Sequence, residues 1–217
     1  MSQVNTENRL QSFGEELANS ISHGVGVIFS VIAAPILIVS AMQQGDVYSI
    51  VGSSVFATSM IILYLSSTLY HALPKKRAKG AFQIVDHIAI FLFIAGTYTP
   101  FALGVLRGTW GWALFGAVWS IALAGIMLKL IFGIKYPKIS TAIYLGMGWL
   151  AITAIKPLID SVLPWGLFWI IAGGVTYTIG VIFFVLDTRL PYAHFIWHLF
   201  VLLGTVFHFI AVLGYST

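Results

Sequence analysis

Residues 164–186 read P-W-G-L-F-W-I-I-A-G-G-V-T-Y-T-I-G-V-I-F-F-V-L, a stretch with no acidic, basic or histidine side chain. A helix needs roughly 20 apolar residues to cross the hydrocarbon core of a bilayer, and this stretch is long enough. Six further segments meet the same criterion; they lie at about 22–43, 47–72, 84–106, 110–130, 139–157 and 193–215. The fifth span is the weakest because Lys156 and Pro157 cut it short, so six spans are the alternative. We predict an all-α, polytopic membrane protein with seven transmembrane helices.

The composition supports a membrane class before any motif is considered. The chain has 217 residues, of which 59% are hydrophobic and 8% are charged, whereas soluble domains carry about 25% charged residues. There is no cysteine, so disulfides, thiolate nucleophiles and cysteine-ligated zinc are excluded. The formal net charge of +4 reflects lysines in short loops, and we expect no nucleic-acid partner.

The distribution of Lys and Arg predicts the orientation of the helices. If the N-terminus is cytoplasmic, only Arg107 and Lys156 fall on the outside. The other basic residues fall inside; they are Arg9, Lys75, Lys76, Arg77, Lys79, Lys129, Lys135, Lys138 and Arg189. Basic residues concentrate in cytoplasmic loops of membrane proteins. We therefore predict a cytoplasmic N-terminus and, with seven spans, an outside C-terminus.

The domain organisation is predicted to be simple. The polar stretch 1–20 contains no apolar run after a basic start, so no cleavable signal peptide is expected. Residues 1–217 are predicted to form one seven-helix domain, in which 1–20 is a short cytoplasmic N-terminal segment.

Two histidines at the start of the seventh span form the first candidate for a metal site. His194 and His198 are four residues apart, so they project from one helical face, as two zinc ligands commonly do. The residues between them are apolar, and a third ligand must come from another helix. His71 is the best candidate because Ser67, one turn earlier, is placed to hydrogen-bond its second ring nitrogen. Three imidazoles and a water leave one open position, as in catalytic zinc sites, although other transition metals also suit such ligands.

Asp86, at the start of the third span, is the candidate for proton transfer. In the predicted topology it lies at the depth of His71, near the cytoplasmic face. An ionisable group inside a span is costly and by default indicates function. We expect its carboxylate to act on the water as a general base, or to orient that water.

Each of these residues also has a simpler interpretation. The histidine pair can be interfacial, His71 can interact with the dipole of the helix end, and Asp86 can be a helix cap. His23 is either a supporting group of the site or an interfacial residue. His87 points about 100° away from its neighbour on the helix and is expected to be structural. His208 lies deeper in the membrane and is expected to pack between helices.

The motifs together resemble the hemolysin III family, bacterial members of the progestin and adipoQ receptor group within a superfamily that includes alkaline ceramidases. They are Glu15-x-x-x-Asn19-x-x-x-His23-Gly24, Ser67-Thr68-Leu69-Tyr70-His71, Asp86-His87, Gly96-Thr97-Tyr98-Thr99-Pro100-Phe101 and His194-Phe195-Ile196-Trp197-His198. The resemblance runs from about residue 12 to 214. It implies seven helices, a cytoplasmic N-terminus and a Zn²⁺ ion near the cytoplasmic face.

The resemblance also implies roles for individual residues and a class of activity. The implied ligands are His71, His194 and His198, with Asp86 holding the water and Ser67 supporting the site; Glu15 and Asn19 are further candidates for supporting it. The implied chemistry is zinc-dependent hydrolysis of a lipid amide, and our functional hypothesis extends it to lipid esters, with a membrane lipid as substrate or ligand. The alternative is a membrane-homeostasis sensor, a receptor or a cytolytic protein in which zinc is structural. The implied location is the bacterial inner membrane.

Overall fold

The computed structural model describes residues 9–74 and 77–216, which form helices joined by short turns, without any strand in these ranges. Seven helical segments are long and apolar enough to cross a membrane, which confirms the predicted fold class and number of spans. Residues 1–8 of the N-terminal segment, and Lys75 and Lys76 of the charge count, lie outside the described residues. The helices are α1 (Phe13–Gln44), α2 (Val47–Ala72), α3 (Arg77–Leu103), α4 (Thr109–Phe132), α5 (Pro137–Trp149), α6 (Ile155–Ser161), α7 (Pro164–Val185) and α8 (Ala193–Tyr215).

The first helix begins earlier than the apolar pattern predicted. Its start is fixed by a capping box, in which the Ser12 side chain accepts from the Glu15 backbone N–H and the Glu15 carboxylate accepts from the Ser12 N–H. This reciprocal pair satisfies two backbone donors at a helix start. Residues 13–21, which are more polar than the predicted span, are therefore helical and carry side chains towards the candidate site.

The fifth span is broken rather than short. It was predicted to end near Pro157, but the chain continues from α5 through a 3₁₀ segment, Leu150–Ala154, into α6, which ends at Ser161. The hydroxyl of Tyr98 stabilises the break: it lies 2.7 Å from the carbonyl oxygen of Met147 and accepts a 3.1 Å hydrogen bond from the N–H of Ala151. Backbone groups that leave the helical pattern inside a bilayer need such partners.

The core lies among α1, α2, α3 and α8, with α1 packed against both α2 and α8. Close approach depends on small residues: a Cβ at Gly26 would lie 2.3 Å from the ring of Tyr64, and one at Gly125 would lie 2.2 Å from Phe91. Small residues at helix interfaces let the backbones of membrane helices approach and pack closely. At one end of this bundle α2 ends at Ala72 and α8 begins at Ala193. We call this the histidine end; the side of the membrane that it faces stays a prediction.

Candidate metal centre

Three histidines from two helices meet at the histidine end. His71 comes from the last turn of α2, and His194 and His198 come from the first two turns of α8. One ring nitrogen of each can be chosen so that all three lie within 4.8 Å of one another. His71 and His198 are buried, whereas His194 is half-buried. The structure thus brings together the three side chains predicted as metal ligands.

The Nδ1 atom of each of these histidines is already occupied by a partner inside the protein. His71 Nδ1 lies 2.8 Å from Glu16 Oε2, and His194 Nδ1 lies 3.0 Å from Asp187 Oδ2. The third ring, His198, has its Nδ1 3.2 Å from the carbonyl oxygen of Asn19. An acceptor at Nδ1 fixes the tautomer with the proton on that atom and leaves the Nε2 lone pair available.

The remaining nitrogen of His71 is a second observation consistent with a site that could hold a cation. Its Nε2 is buried and has no hydrogen-bond partner among the described residues. Buried polar atoms nearly always have partners, so the atom requires an explanation. Three imidazoles that each offer a ring nitrogen within 4.8 Å of the others, and whose Nδ1 atoms have partners inside the protein, fit a divalent transition metal.

The predicted partner of His71 was wrong. We expected Ser67 to hydrogen-bond the second ring nitrogen, but that nitrogen pairs with Glu16 on α1. A carboxylate displaces a hydroxyl here because a charge-assisted hydrogen bond is the stronger of the two. Ser67 lies instead beside Asp86, close enough to act on its carboxyl group, although the hydroxyl has no partner at normal hydrogen-bond geometry.

Glu16 and Asp187 are the residues that the sequence interpretation missed. Glu16 also forms a 2.9 Å ion pair with Lys79 of α3, so one carboxylate connects α1, α2 and α3. A partial signal was available, because Glu16, Asn19 and His23 recur at spacings of three and four on one face of α1. No local signal identified Asp187, which lies in the turn before α8 and reaches His194 through tertiary structure.

Glu15 anchors the start of α8. Its carboxylate accepts from the backbone N–H of Tyr192 at 2.8 Å and pairs with Arg9, whose Nη1 lies 2.7 Å away. The carboxylate raises the pKa of Arg9 above its ordinary value. Tyr192 has a φ of 58° and is the only non-glycine residue with a positive φ among the described residues. This left-handed conformation costs energy for a residue other than glycine. Glu15 therefore holds a strained residue two positions before His194.

The three other histidines have different surroundings. His23 is buried and stacks on His198 with ring centroids 3.5 Å apart, and neither of its nitrogens has a partner among the described residues. His87 lies near Phe184 and outside the three-histidine group. His208 is remote from it, with Nε2 3.3 Å from the carbonyl oxygen of Ile170 and its ring edge-on to Tyr177.

Asp86 is buried, with 8% of its surface exposed, and its carboxylate forms no ion pair and no well-formed hydrogen bond in the described part of the chain. It is close enough to His194 for their charges to interact. A carboxylate in a span without a partner is costly, and no ion pair among the described residues offsets that cost for Asp86.

The fold and the site together define a seven-helix membrane protein with a buried three-histidine centre. Residues 11–209 match the family model described as Haemolysin-III related, and the chain belongs to the haemolysin III family. It is 46% identical over 201 residues to Hemolysin-3 of Bacillus cereus, covering 93% of this chain and 91% of that protein. The Hemolysin-3 homolog of Bacillus subtilis is also 46% identical, covering 93% and 94%. The human monocyte to macrophage differentiation factor is 26% identical over 210 residues, covering 93% and 84%.

Proposed function

We propose that this protein is an intramembrane zinc hydrolase that cleaves an amide or ester bond of a membrane lipid. The observation that carries the proposal is the unpaired, buried carboxylate of Asp86 beside a three-histidine group. Sites that only hold helices together need ligands, whereas hydrolytic sites also need a group that moves protons.

The proposed ligands are the Nε2 atoms of His71, His194 and His198. Their Nδ1 protons would point away towards Glu16, Asp187 and the Asn19 carbonyl, which fixes the tautomer and the orientation of each ring and makes Nε2 a stronger ligand. When bound, zinc would supply Lewis acidity that polarises a carbonyl and lowers the pKa of water.

Asp86 would carry the proton through the reaction. As the oxygen of water attacks the lipid carbonyl carbon, the Asp86 carboxylate accepts a proton from that water. It then donates this proton to the leaving amine nitrogen or alkoxide oxygen as the carbon–heteroatom bond breaks. Ser67, beside Asp86, would position the carboxyl group for these two transfers.

The substrate is proposed to enter from the bilayer near His194. This is the least buried of the three histidines, with 14% of its side chain exposed against 1% for His71. We also propose that the histidine end faces the cytoplasm of a bacterial inner membrane, as the basic residues predict.

The test compares purified wild type with Asp86→Asn, using Asp160→Asn, an exposed acidic residue of α6, as the matched control. We expect all three proteins to retain bound metal. Wild type and the control should release fatty acid from amide or ester lipids in liposomes, while Asp86→Asn should lose about 10²–10⁴-fold in rate. No release by metal-loaded wild type, or equal rates for Asp86→Asn, would contradict the proposal.

The second candidate is a non-enzymatic sensor, receptor or cytolytic protein in which the metal only holds helices. The observation in its favour is that the ligands and their partners connect α1, α2 and α8 without Asp86. It predicts that His71→Ala lowers the unfolding temperature and abolishes the sensing, receptor or cytolytic activity. It also predicts that Asp86→Asn leaves both unchanged.

A further inference from the structure

Helix α1 holds the ring of His198 from two directions. At the edge of the ring, His198 Nδ1 lies 3.1 Å from the hydroxyl oxygen of Ser22 and 3.2 Å from the carbonyl oxygen of Asn19. On one face, the ring of His23 lies parallel to it, with 9° between the two planes. Ser22, His23 and His198 are all buried, so the orientation of this proposed ligand depends on a helix that supplies no proposed ligand.

The hydroxyl of Ser22 determines which nitrogen of His198 carries the proton. Ser22 Oγ donates to the carbonyl oxygen of Asn19 at 2.9 Å, and a hydroxyl has only one proton to donate. Towards His198, therefore, both the Ser22 hydroxyl and the Asn19 carbonyl act as acceptors. The proton of a neutral His198 then lies on Nδ1, and the lone pair of Nε2 is available to a metal.

The rings of His23 and His198 overlap almost completely. Carbon atoms in contact are about 3.5–4.0 Å apart, so parallel rings with centroids 3.5 Å apart have hardly any lateral offset. Two neutral aromatic rings avoid this arrangement, because their negative faces repel, and prefer an offset or edge-on contact. The contact of His23 with Tyr64 is of that preferred kind, with 84° between the planes. The overlap with His198 therefore requires another explanation.

A cation at Nε2 of His198 would make the overlap favourable. It would draw electron density from the His198 ring, so that an electron-poor ring faces the negative face of a neutral one, and a desolvated site strengthens such an attraction. His23 is 3% exposed and forms no ion pair with any residue in the ranges 9–74 and 77–216. Its surroundings thus suit a neutral ring.

We propose that Ser22 and His23 are positioning residues for His198: Ser22 keeps the proton on Nδ1, and His23 stacks on the ring of the metal-bound form. Because Glu16 contacts Nδ1 of His71, α1 would then orient two of the three proposed ligands. This inference rests on the metal centre of the proposed function and is independent of whether the centre hydrolyses a lipid.

The role of Ser22 is tested with Ser22→Ala, using Ser30→Ala as the matched control. Ser30 is also a buried serine of α1, and its hydroxyl likewise donates at 2.9 Å to a carbonyl three residues earlier, that of Val27. Zinc affinity is measured by chelator competition on the purified proteins. We expect Ser22→Ala to bind zinc about 10-fold more weakly, while Ser30→Ala matches wild type. Equal affinities for Ser22→Ala and wild type, or equal losses in the two variants, would overturn the role of Ser22.

The role of His23 is tested with His23→Leu and His23→Phe. We expect His23→Leu, which removes the aromatic face, to bind zinc at least about 10-fold more weakly. His23→Phe keeps a neutral ring and should stay within about three-fold of wild type. His208→Leu, at a buried histidine remote from the three-histidine group, is the control and should bind zinc as wild type does. Should His23→Leu fail to fold, His23→Gln, which also lacks an aromatic ring, is expected to show the same loss.

Unfolding temperatures with and without zinc separate positioning from simple packing. Without zinc, His23→Leu should unfold at the temperature of wild type or higher, because an unfavourable overlap of two neutral rings has been removed. With zinc, it should be less stable than wild type. Equal decreases in both conditions, or equal zinc affinity of His23→Leu and His23→Phe, would overturn the proposal. Wild type that binds no zinc would instead refute the metal centre itself.

Discussion

The carboxylate of Glu16 provides the sharpest test of the proposed metal centre, because it contacts the proposed ligand His71 through Nδ1 and is not itself a proposed ligand. Replacing it as Glu16→Gln keeps the size of the side chain and removes its negative charge. The affected hydrogen bond is 2.8 Å long, and the His71 side chain is 1% exposed, so water cannot readily take the place of the carboxylate. Partners that orient a ligating histidine typically contribute 10–100-fold in metal affinity.

We expect Glu16→Gln to weaken zinc binding near the upper end of that range, about 100-fold or roughly 2.7 kcal/mol. Asp187→Asn should have a smaller effect, about 10-fold, because its partner His194 is 14% exposed and the pair is longer, at 3.0 Å. The assay is chelator competition on purified protein, with zinc quantified by mass spectrometry.

Lys79→Met is the matched control for this experiment. It removes the ion pair between Lys79 and Glu16 but leaves the hydrogen bond to His71, so zinc affinity should change far less than in Glu16→Gln. If Glu16→Gln binds zinc as tightly as wild type while His71→Ala does not, then Glu16 does not orient the ligand. Equal losses in Lys79→Met and Glu16→Gln would show that the ion pair, and not the hydrogen bond, maintains the site.

Two other predictions concern stability. Thr205→Val removes a hydroxyl that lies 2.6 Å from the Tyr64 hydroxyl and 3.2 Å from the Tyr177 hydroxyl. Because an interhelical hydrogen bond contributes about 0.6–1.7 kcal/mol, the free energy of unfolding in detergent should fall by about 1–3 kcal/mol. Thr205→Ser keeps a hydroxyl at this position and should retain the stability of the wild type. The guanidinium of Arg107 lowers the pKa of Asp46 below its ordinary value. The ion pair therefore stabilises the fold fully at pH values above the ordinary pKa of a carboxyl group. This stabilisation is lost as the pH falls through the lowered pKa of Asp46. Arg107→Met should therefore flatten the acid side of the stability profile, and an unchanged profile would contradict this assignment.

The number of helices and the three converging histidines could be predicted because both depend on local patterns. A run of apolar residues long enough to cross a bilayer is visible in the sequence itself, and the spacing of His194 and His198 places them on one helical face. The depth of His71 followed from counting spans. These inferences need only the geometry of a single helix and the thickness of a membrane.

The partners of the histidines could not be predicted in the same way. Whether His71 meets Ser67 or Glu16 depends on how α1 is rotated against α2, which is determined by contacts such as Gly26 with Tyr64. Lys129, in the last turn of α4, is fully buried, and its burial likewise depends on how α4 packs against α3. A sequence pattern gives the depth of a charged residue in the membrane, but its exposure depends on the neighbouring helices.

The position of Asp86 bears on whether the metal acts chemically or structurally. The three proposed ligands come from α2 and α8, and the groups that orient them come from α1 and from the turn before α8. Asp86 lies on α3 and belongs to neither set. A structural metal would gain nothing from a buried carboxylate that destabilises its own helix. A hydrolytic site needs such a group, held near the proposed ligands and free of ion pairs, so the cost of burying Asp86 supports the proposed hydrolase over the structural alternative.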